Sequence, residues 1–130
     1  MISRPEIEEI GKKIVHAAFE VHKELGPGLL ESVYEICLME ELTNQNLFVE
    51  RQVKLPVVFK GKQLDKEFVI DLLVEKEIII ELKAVEILLP VHEVQLLTYM
   101  KLANKKLGYL LNFNVPLIKD GIHRKINGYF

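Results

Sequence analysis

The stretch Phe68 to Lys83, FVIDLLVEKEIIIELK, sets three charged groups inside two apolar runs. Each run is dominated by β-branched and aliphatic residues, and Glu75-Lys76-Glu77 separates them. The pattern predicts two strands joined by a tight connection. An ionised carboxylate in such a strand is costly to bury unless it is paired or holds a cation. Asp71 lies in the first run and Glu81 in the second, with Lys83 two residues further on. Side chains two apart on a strand share a face, so Glu81 and Lys83 project together and Leu82 points away.

The length of the connection decides whether Asp71 joins them. A two-residue turn at Glu75-Lys76 would pair Val74 with Glu77 and set Asp71 against Ile80, on the face opposite Glu81. A three-residue loop, Glu75 to Glu77, pairs Val74 with Ile78 and brings Asp71 opposite Glu81. Loops of that length commonly carry a bulge. The odd-length connection is therefore expected, and with it a face bearing two acids and one base. Two carboxylates beside an ammonium form a site for a hard divalent cation.

A chain of 130 residues, 49% of them apolar, suits one domain over residues 1–130 with a real core. The net charge of −2 gives no global basic field, so a nucleic-acid partner would be held by a local patch. The single cysteine, Cys37, has no internal disulfide partner and suits a reducing cytoplasm, the expected location. Among apolar residues of a predicted helix it reads as buried filler rather than a nucleophile. Glu6, Glu8 and Glu9 interrupt any apolar run near the start, so no signal peptide is expected. No apolar segment is long enough to span a bilayer, and no membrane partner is expected.

Around the central pair the chain alternates periods. Ser3-Arg4-Pro5-Glu6 predicts a capped helix start, followed by helical spacing at Ile7, Ile10, Ile14, Ala18, Val21 and Leu25. His16 and His22 lack the spacing of a ligand pair and read as surface or packing residues. Gly26-Pro27-Gly28 ends the helix. A second helix is predicted from Leu29 to Thr43. Glu31, in its first turn, either complements the helix dipole or lines a functional face with Tyr34 and Glu35 beside Gly28. Phe48 to Phe59 predicts a strand, with Pro56 marking an edge or a bulge. A third helix is predicted from Pro90 to Ala103, where His92, Gln95 and Tyr99 form a polar stripe. That stripe is either an amphipathic border or a row facing the carboxylates. Leu107 to Phe113 predicts a buried strand. The tail through Ile122, Arg124 and Ile126 either adds a short strand or hangs loosely.

The order helix, helix, three strands, helix, strand, with Asp71 and then Glu81-Leu82-Lys83, resembles the PD-(D/E)XK nuclease superfamily. Within it, Gly28-Leu29-Leu30-Glu31-Ser32-Val33-Tyr34 reads as GxxExxY. With IELKAVE and LLPVHEVQLLTYMK, the chain is identified as a member of the GxxExxY protein family. The resemblance implies an α/β (α+β) restriction-endonuclease fold: a mixed sheet of four to five strands flanked by helices, in the order α-α-β-β-β-α-β. It implies that Asp71 and Glu81 ligate Mg²⁺ or Mn²⁺, with the Leu82 carbonyl as a third protein ligand. Glu31 would reach in from its helix to support that ion or a second one. Lys83 would position or help deprotonate the attacking water, or stabilise charge on the phosphate. Gln95 and Tyr99 would orient the site or touch the substrate backbone, with Tyr34, His92 and Arg51 as further substrate contacts.

Three functions are weighed against these residues. A metal-dependent nuclease acting on nucleic acid, DNA before RNA, uses the whole set, and analogy with enzymes that cut two strands suggests a homodimer. An inactive module of the same fold, binding protein or nucleic acid, fits the small size and the near-neutral charge. A zinc hydrolase built on His92-Glu93 fits worst, because no His pair has ligand spacing and Cys37 is isolated.

Overall fold

Five strands form one mixed sheet in the order of the chain, β1-β2-β3-β4-β5. The computed structural model describes residues 2–130. Its elements are α1 (Arg4–Leu25), α2 (Glu31–Asn44), β1 (Val49–Phe59), β2 (Lys62–Val74), β3 (Ile78–Lys83), α3 (Pro90–Ala103), β4 (Leu107–Asn112), a 3₁₀ turn at Ile118–Gly121 and β5 (Ile122–Ile126). β3 and β4 are parallel and the other neighbours antiparallel. The expected α-α-β-β-β-α-β order is present, and the tail adds β5 along β4.

The helices begin and end for local reasons. Ser3 caps α1 by accepting from the Glu6 amide at 3.3 Å, and Pro5 sits in the first turn. Gly26, at φ +67°, lets the chain leave α1 in a conformation that other residues resist. α3 starts at Pro90 behind a half-box: His92 Nδ1 accepts from the Leu89 amide at 3.1 Å.

Each face of the sheet has its own core. Ile14, Ala17, Ala18 and Val21 of α1 and Leu38 and Leu42 of α2 pack on Leu72, Val74, Ile78, Ile80, Leu82, Leu107 and Leu111. Leu96, Tyr99 and Met100 of α3 pack on Ile70, Leu73, Ile79 and Leu110 on the other side. The alternation Ile79 against Ile78 and Ile80 divides β3 between two cores, which explains its unbroken apolar run. α3 approaches β4 closely at Gly108, where an added Cβ would stand 2.7 Å from Met100 Sδ.

The β2–β3 connection takes the odd-length form. Val74 pairs with Ile78, Leu73 with Ile79 and Leu72 with Ile80. Glu75 and Lys76 are both left-handed, at φ 51° and 57°, and Glu77 N–H donates to Val74 O at 2.9 Å. Glu77 is thus the extra residue behind a tight two-residue turn, as in bulged hairpins. Pro56 lies on the edge strand β1, where the β1–β2 register shifts between Pro56 and Val58. The β2 strand reaches back to Lys62, well beyond its apolar part.

Candidate active site

The ladder between β2 and β3 stops at Leu72 and Ile80, while β2 stays paired with β1. The next pair in that register is Asp71 and Glu81. There the strands part, and the Asp71 carboxylate fills the gap: Oδ2 accepts from the Leu82 amide at 2.9 Å. A side chain has replaced a main-chain acceptor at the point where the sheet opens.

Glu81 lies in the same opening and is 7% exposed. Its Oε1 is buried with no hydrogen-bond partner among the described residues. Burial, reinforced by the Asp71 carboxylate beside it, pushes the Glu81 pKa up to about 10, with Lys83 opposing. Lys83 follows on the same strand face and is half-buried. The chain behind it is pinned from β4. Phe113 N–H donates to Lys83 O at 3.0 Å. The buried amide of Asn112, the register partner of Lys83, accepts from Val85 N–H at 3.1 Å and donates to Val85 O at 2.9 Å.

Two helices close on this opening. From α2, Glu31 faces it: partial desolvation pushes its carboxyl up, Lys83 opposes, and Asp71 and Glu35 add to the rise. One turn on, Glu35 is 5% exposed and fully engaged. It takes the Arg51 Nε–H and the Gln52 amide, the latter at 2.9 and 3.1 Å. Gln52 adopts φ +55°, a left-handed bend that skips one rung of the β1–β2 ladder beside Asp71. Glu31, Glu35, Arg51, Gln52 and Asp71 line one open cavity of about 540 Å³. From α3, Tyr99 is buried against Phe68, with ring centroids 5.6 Å apart. Gln95 Nε2 donates to Tyr99 Oη at 3.0 Å. Burial raises the Tyr99 pKa, and the nearby Glu81 and Asp71 charges raise it further against the Gln95 bond.

A family model described as the PD-(D/E)XK nuclease superfamily matches residues 8–125. The chain belongs to that superfamily. Searches of curated proteins and of solved structures return no significant match. The match spans every strand and helix that supplies the PD-(D/E)XK acids, so the motif stands in its own fold rather than in a chance context.

Two features of the PD-(D/E)XK opening fit a divalent cation. Two carboxylates stand side by side, and one buried oxygen has no partner among the described residues to satisfy it. Among the described residues, no three His, Cys, Asp or Glu side chains converge as a ligand cluster. Any ion held there would take the Asp71–Glu81 pair as its carboxylate donors, with main chain, water or substrate completing the set.

Two expected substrate contacts have other employment. Tyr34 is fully buried, with its ring stacked on Phe113 at 4.7 Å. Its hydroxyl donates to Gly26 O at 2.6 Å and accepts from Leu29 N–H at 3.1 Å, closing the turn that aims Glu31. The spacing of Gly28, Glu31 and Tyr34 thus has a structural meaning: the tyrosine holds the turn and the glutamate leaves it. His92 uses Nδ1 to cap α3. Gln52 and Asn112 were not singled out by their sequence context, whereas Glu35 was expected on one face with Glu31 and Tyr34. For Asn112 a signal existed, a lone amide in the apolar run Leu107 to Phe113. Gln52 has none.

Proposed function

We propose that this protein is a metal-dependent nuclease that hydrolyses phosphodiester bonds of nucleic acid, DNA in the first instance. The observation that carries this reading is the Asp71–Glu81 pair, with its unpartnered buried oxygen and Lys83 on the same face. Asp71 and Glu81 would hold Mg²⁺ or Mn²⁺. The ion supplies Lewis acidity and counter-charge for the phosphoryl oxygens. Asp71 is fixed for this by the Leu82 amide. Lys83 brings a cation to the phosphate or to the attacking water. Glu31, aimed by Tyr34, offers a further carboxylate from α2. Tyr99 accepts from Gln95 and so keeps its own proton to donate toward the acids.

Thermal unfolding with and without Mg²⁺ and Mn²⁺ tests the metal. A ligand at about 100 times its dissociation constant stabilises by about 2.7 kcal/mol. The rise in Tm is expected in the wild type and absent in Asp71→Asn, and cleavage of DNA is lost in Asp71→Asn and Lys83→Ala. Cleavage that survives both substitutions overturns the assignment.

A second reading has its own observation. Leu29, Leu30, Val33 and Ile36 are exposed on α2 and the turn before it, with Leu30 at 73%. Such an apolar face suits self-association or a protein partner, including the homodimer that cutting two strands would favour. Light scattering separates a monomer from a dimer built on this face. Among the described residues, no helix is long and apolar enough to cross a membrane.

A further inference from the structure

Once β2 leaves β3, it runs on with β1 alone. The pairs Val53–Ile70, Lys54–Val69, Leu55–Phe68 and Pro56–Glu67 continue, after the shift, as Val58–Gln63 and Phe59–Lys62. This ribbon reaches roughly 25 Å beyond Asp71 at about 3.3 Å per residue. Its root is anchored on the active-site side, where Val53, Leu55, Phe68 and Ile70 pack with Leu96 and Tyr99 of α3. Its outer part is uncovered: Val58, Phe59 and Leu64 are 55, 60 and 41% exposed. A two-stranded ribbon with bare apolar residues is only marginally stable and invites a partner.

Charge indicates the partner. Between Val53 and Val69 the ribbon carries Lys54, Lys60, Lys62 and Lys66 against Asp65 and Glu67, in a chain that is acidic overall. None of the four lysines forms an ion pair among the described residues. At the tip, Phe59-Lys60-Gly61-Lys62 sets one aromatic beside two cations, with Lys60 Nζ 5.5 Å from the centroid of the Phe59 ring, a pairing of the kind that binds unstacked bases and their phosphates. The opposite side of the molecule repels a polyanion, because Glu20, Glu24, Glu40 and Glu41 rim the groove between α1 and α2. The basic ribbon, rather than the acidic groove between α1 and α2, is the side that attracts a polyanion.

We propose that the β1–β2 ribbon is a nucleic-acid arm that binds a single-stranded segment, with Lys60, Lys62 and Lys66 on phosphates and Phe59 under a base. Through Phe68 and Ile70 the arm runs directly into Asp71, so a strand lying on it leads to the acids. A single strand is specified because Phe59 needs an open base face, which a duplex conceals. The inference rests on the nuclease reading for what happens at the end of the arm, but binding is separable from cleavage.

Fluorescence anisotropy in EDTA, where metal-dependent cleavage does not occur, uses a labelled oligothymidylate and a blunt DNA duplex as probes. The wild type is expected to bind the single strand more tightly than the duplex. Replacing Lys60, Lys62 and Lys66 together by Ala should weaken binding at least tenfold. It should also flatten the slope of log affinity against log salt by about 2. Phe59→Ala should weaken binding about tenfold and leave that slope unchanged. All substituted side chains are exposed, and an unchanged Tm certifies the fold. The proposal is overturned if the wild type binds neither probe, prefers the duplex, or binds equally well in both variants. It is also overturned if Phe59→Ala alters only the oligomeric state. Arm-dependent binding without cleavage in Mg²⁺ would sustain the arm and remove the nuclease reading.

Discussion

The amide of Leu82 donates to Oδ2 of Asp71 at 2.9 Å across the gap where β2 and β3 part. One carboxylate thereby satisfies the orphaned main chain of a splayed sheet and is fixed next to Glu81. The two duties can be separated. Asp71→Asn keeps an oxygen for Leu82 but removes the charge. Asp71→Ala leaves a buried N–H without a partner, which costs about 1–3 kcal/mol. In metal-free urea unfolding, the Ala variant should be less stable than the Asn variant by that amount, while neither responds to Mg²⁺. Equal stabilities would mean that Leu82 finds another acceptor.

The register around this pair was legible because it follows from two local rules: alternation along a strand, and the parity of the connection between Val74 and Ile78. α1 was legible from its Ser3 cap, its Gly26 end and its apolar stripe, and α2 and α3, whose N-caps Leu30 and Leu89 make no side-chain capping bond, from their apolar positions and flanking breaks. The remainder depends on distant segments. Nothing near Tyr34 announces that its ring will stack on Phe113 and its hydroxyl close a turn at Gly26. Nothing near Gln52 announces a left-handed bend that lets Arg51 and Gln52 reach Glu35 together. The outer half of β2, from Lys62 to Glu67, lacks alternation because neither of its faces meets a core. It becomes a strand only through pairing with β1.

Glu81 sets a pH dependence for the metal-free protein. Its pKa rises from 4.5 to about 10 on folding. A carboxyl raised in the folded state stabilises fully below its unfolded pKa, and that contribution is lost as pH climbs through the folded value. Stability should therefore fall between pH 4.5 and about 10, with a limiting slope of about 1.4 kcal/mol per pH unit from this one group. Glu81→Gln should remove that slope in denaturant unfolding run in EDTA across a pH series. Cation binding must displace the proton, so Mg²⁺ affinity in the wild type should increase with pH over the same window. A slope unaffected by Glu81→Gln would place the titration elsewhere.

Glu35 fastens α2 to the bend in β1. Glu35 is the buried member of the pair, so Arg51→Ala strands its carboxylate on Gln52 alone and is expected to cost about 3–5 kcal/mol. Arg51 is 40% exposed and can return to water once the carboxylate is gone, so Glu35→Ala should cost less, about 1–2 kcal/mol. A double-mutant cycle on the pair should show strong coupling. Because Glu31 rides one turn ahead on the same helix face, Glu35→Gln should also weaken Mg²⁺-linked stabilisation without touching Asp71 or Glu81. Unchanged metal linkage would confine Glu35 to a packing role.

Tyr99 distinguishes packing from chemistry on the α3 side. Its ring is buried against Phe68, whereas Gln95 is exposed and can exchange Tyr99 Oη for water. Tyr99→Phe retains the ring and deletes only the hydroxyl, so stability should change by about 1 kcal/mol or less. If the free phenolic proton serves the acids, kcat for DNA cleavage should fall roughly ten- to a hundredfold, the worth of one hydrogen bond to a charged group. Gln95→Ala, which leaves that proton in place, should cost less. Steady-state kinetics on the two variants, alongside their urea midpoints, reads both effects. Equal and small losses would reduce Tyr99 to a wall of the site, and a larger loss in Gln95→Ala would transfer the role to the amide.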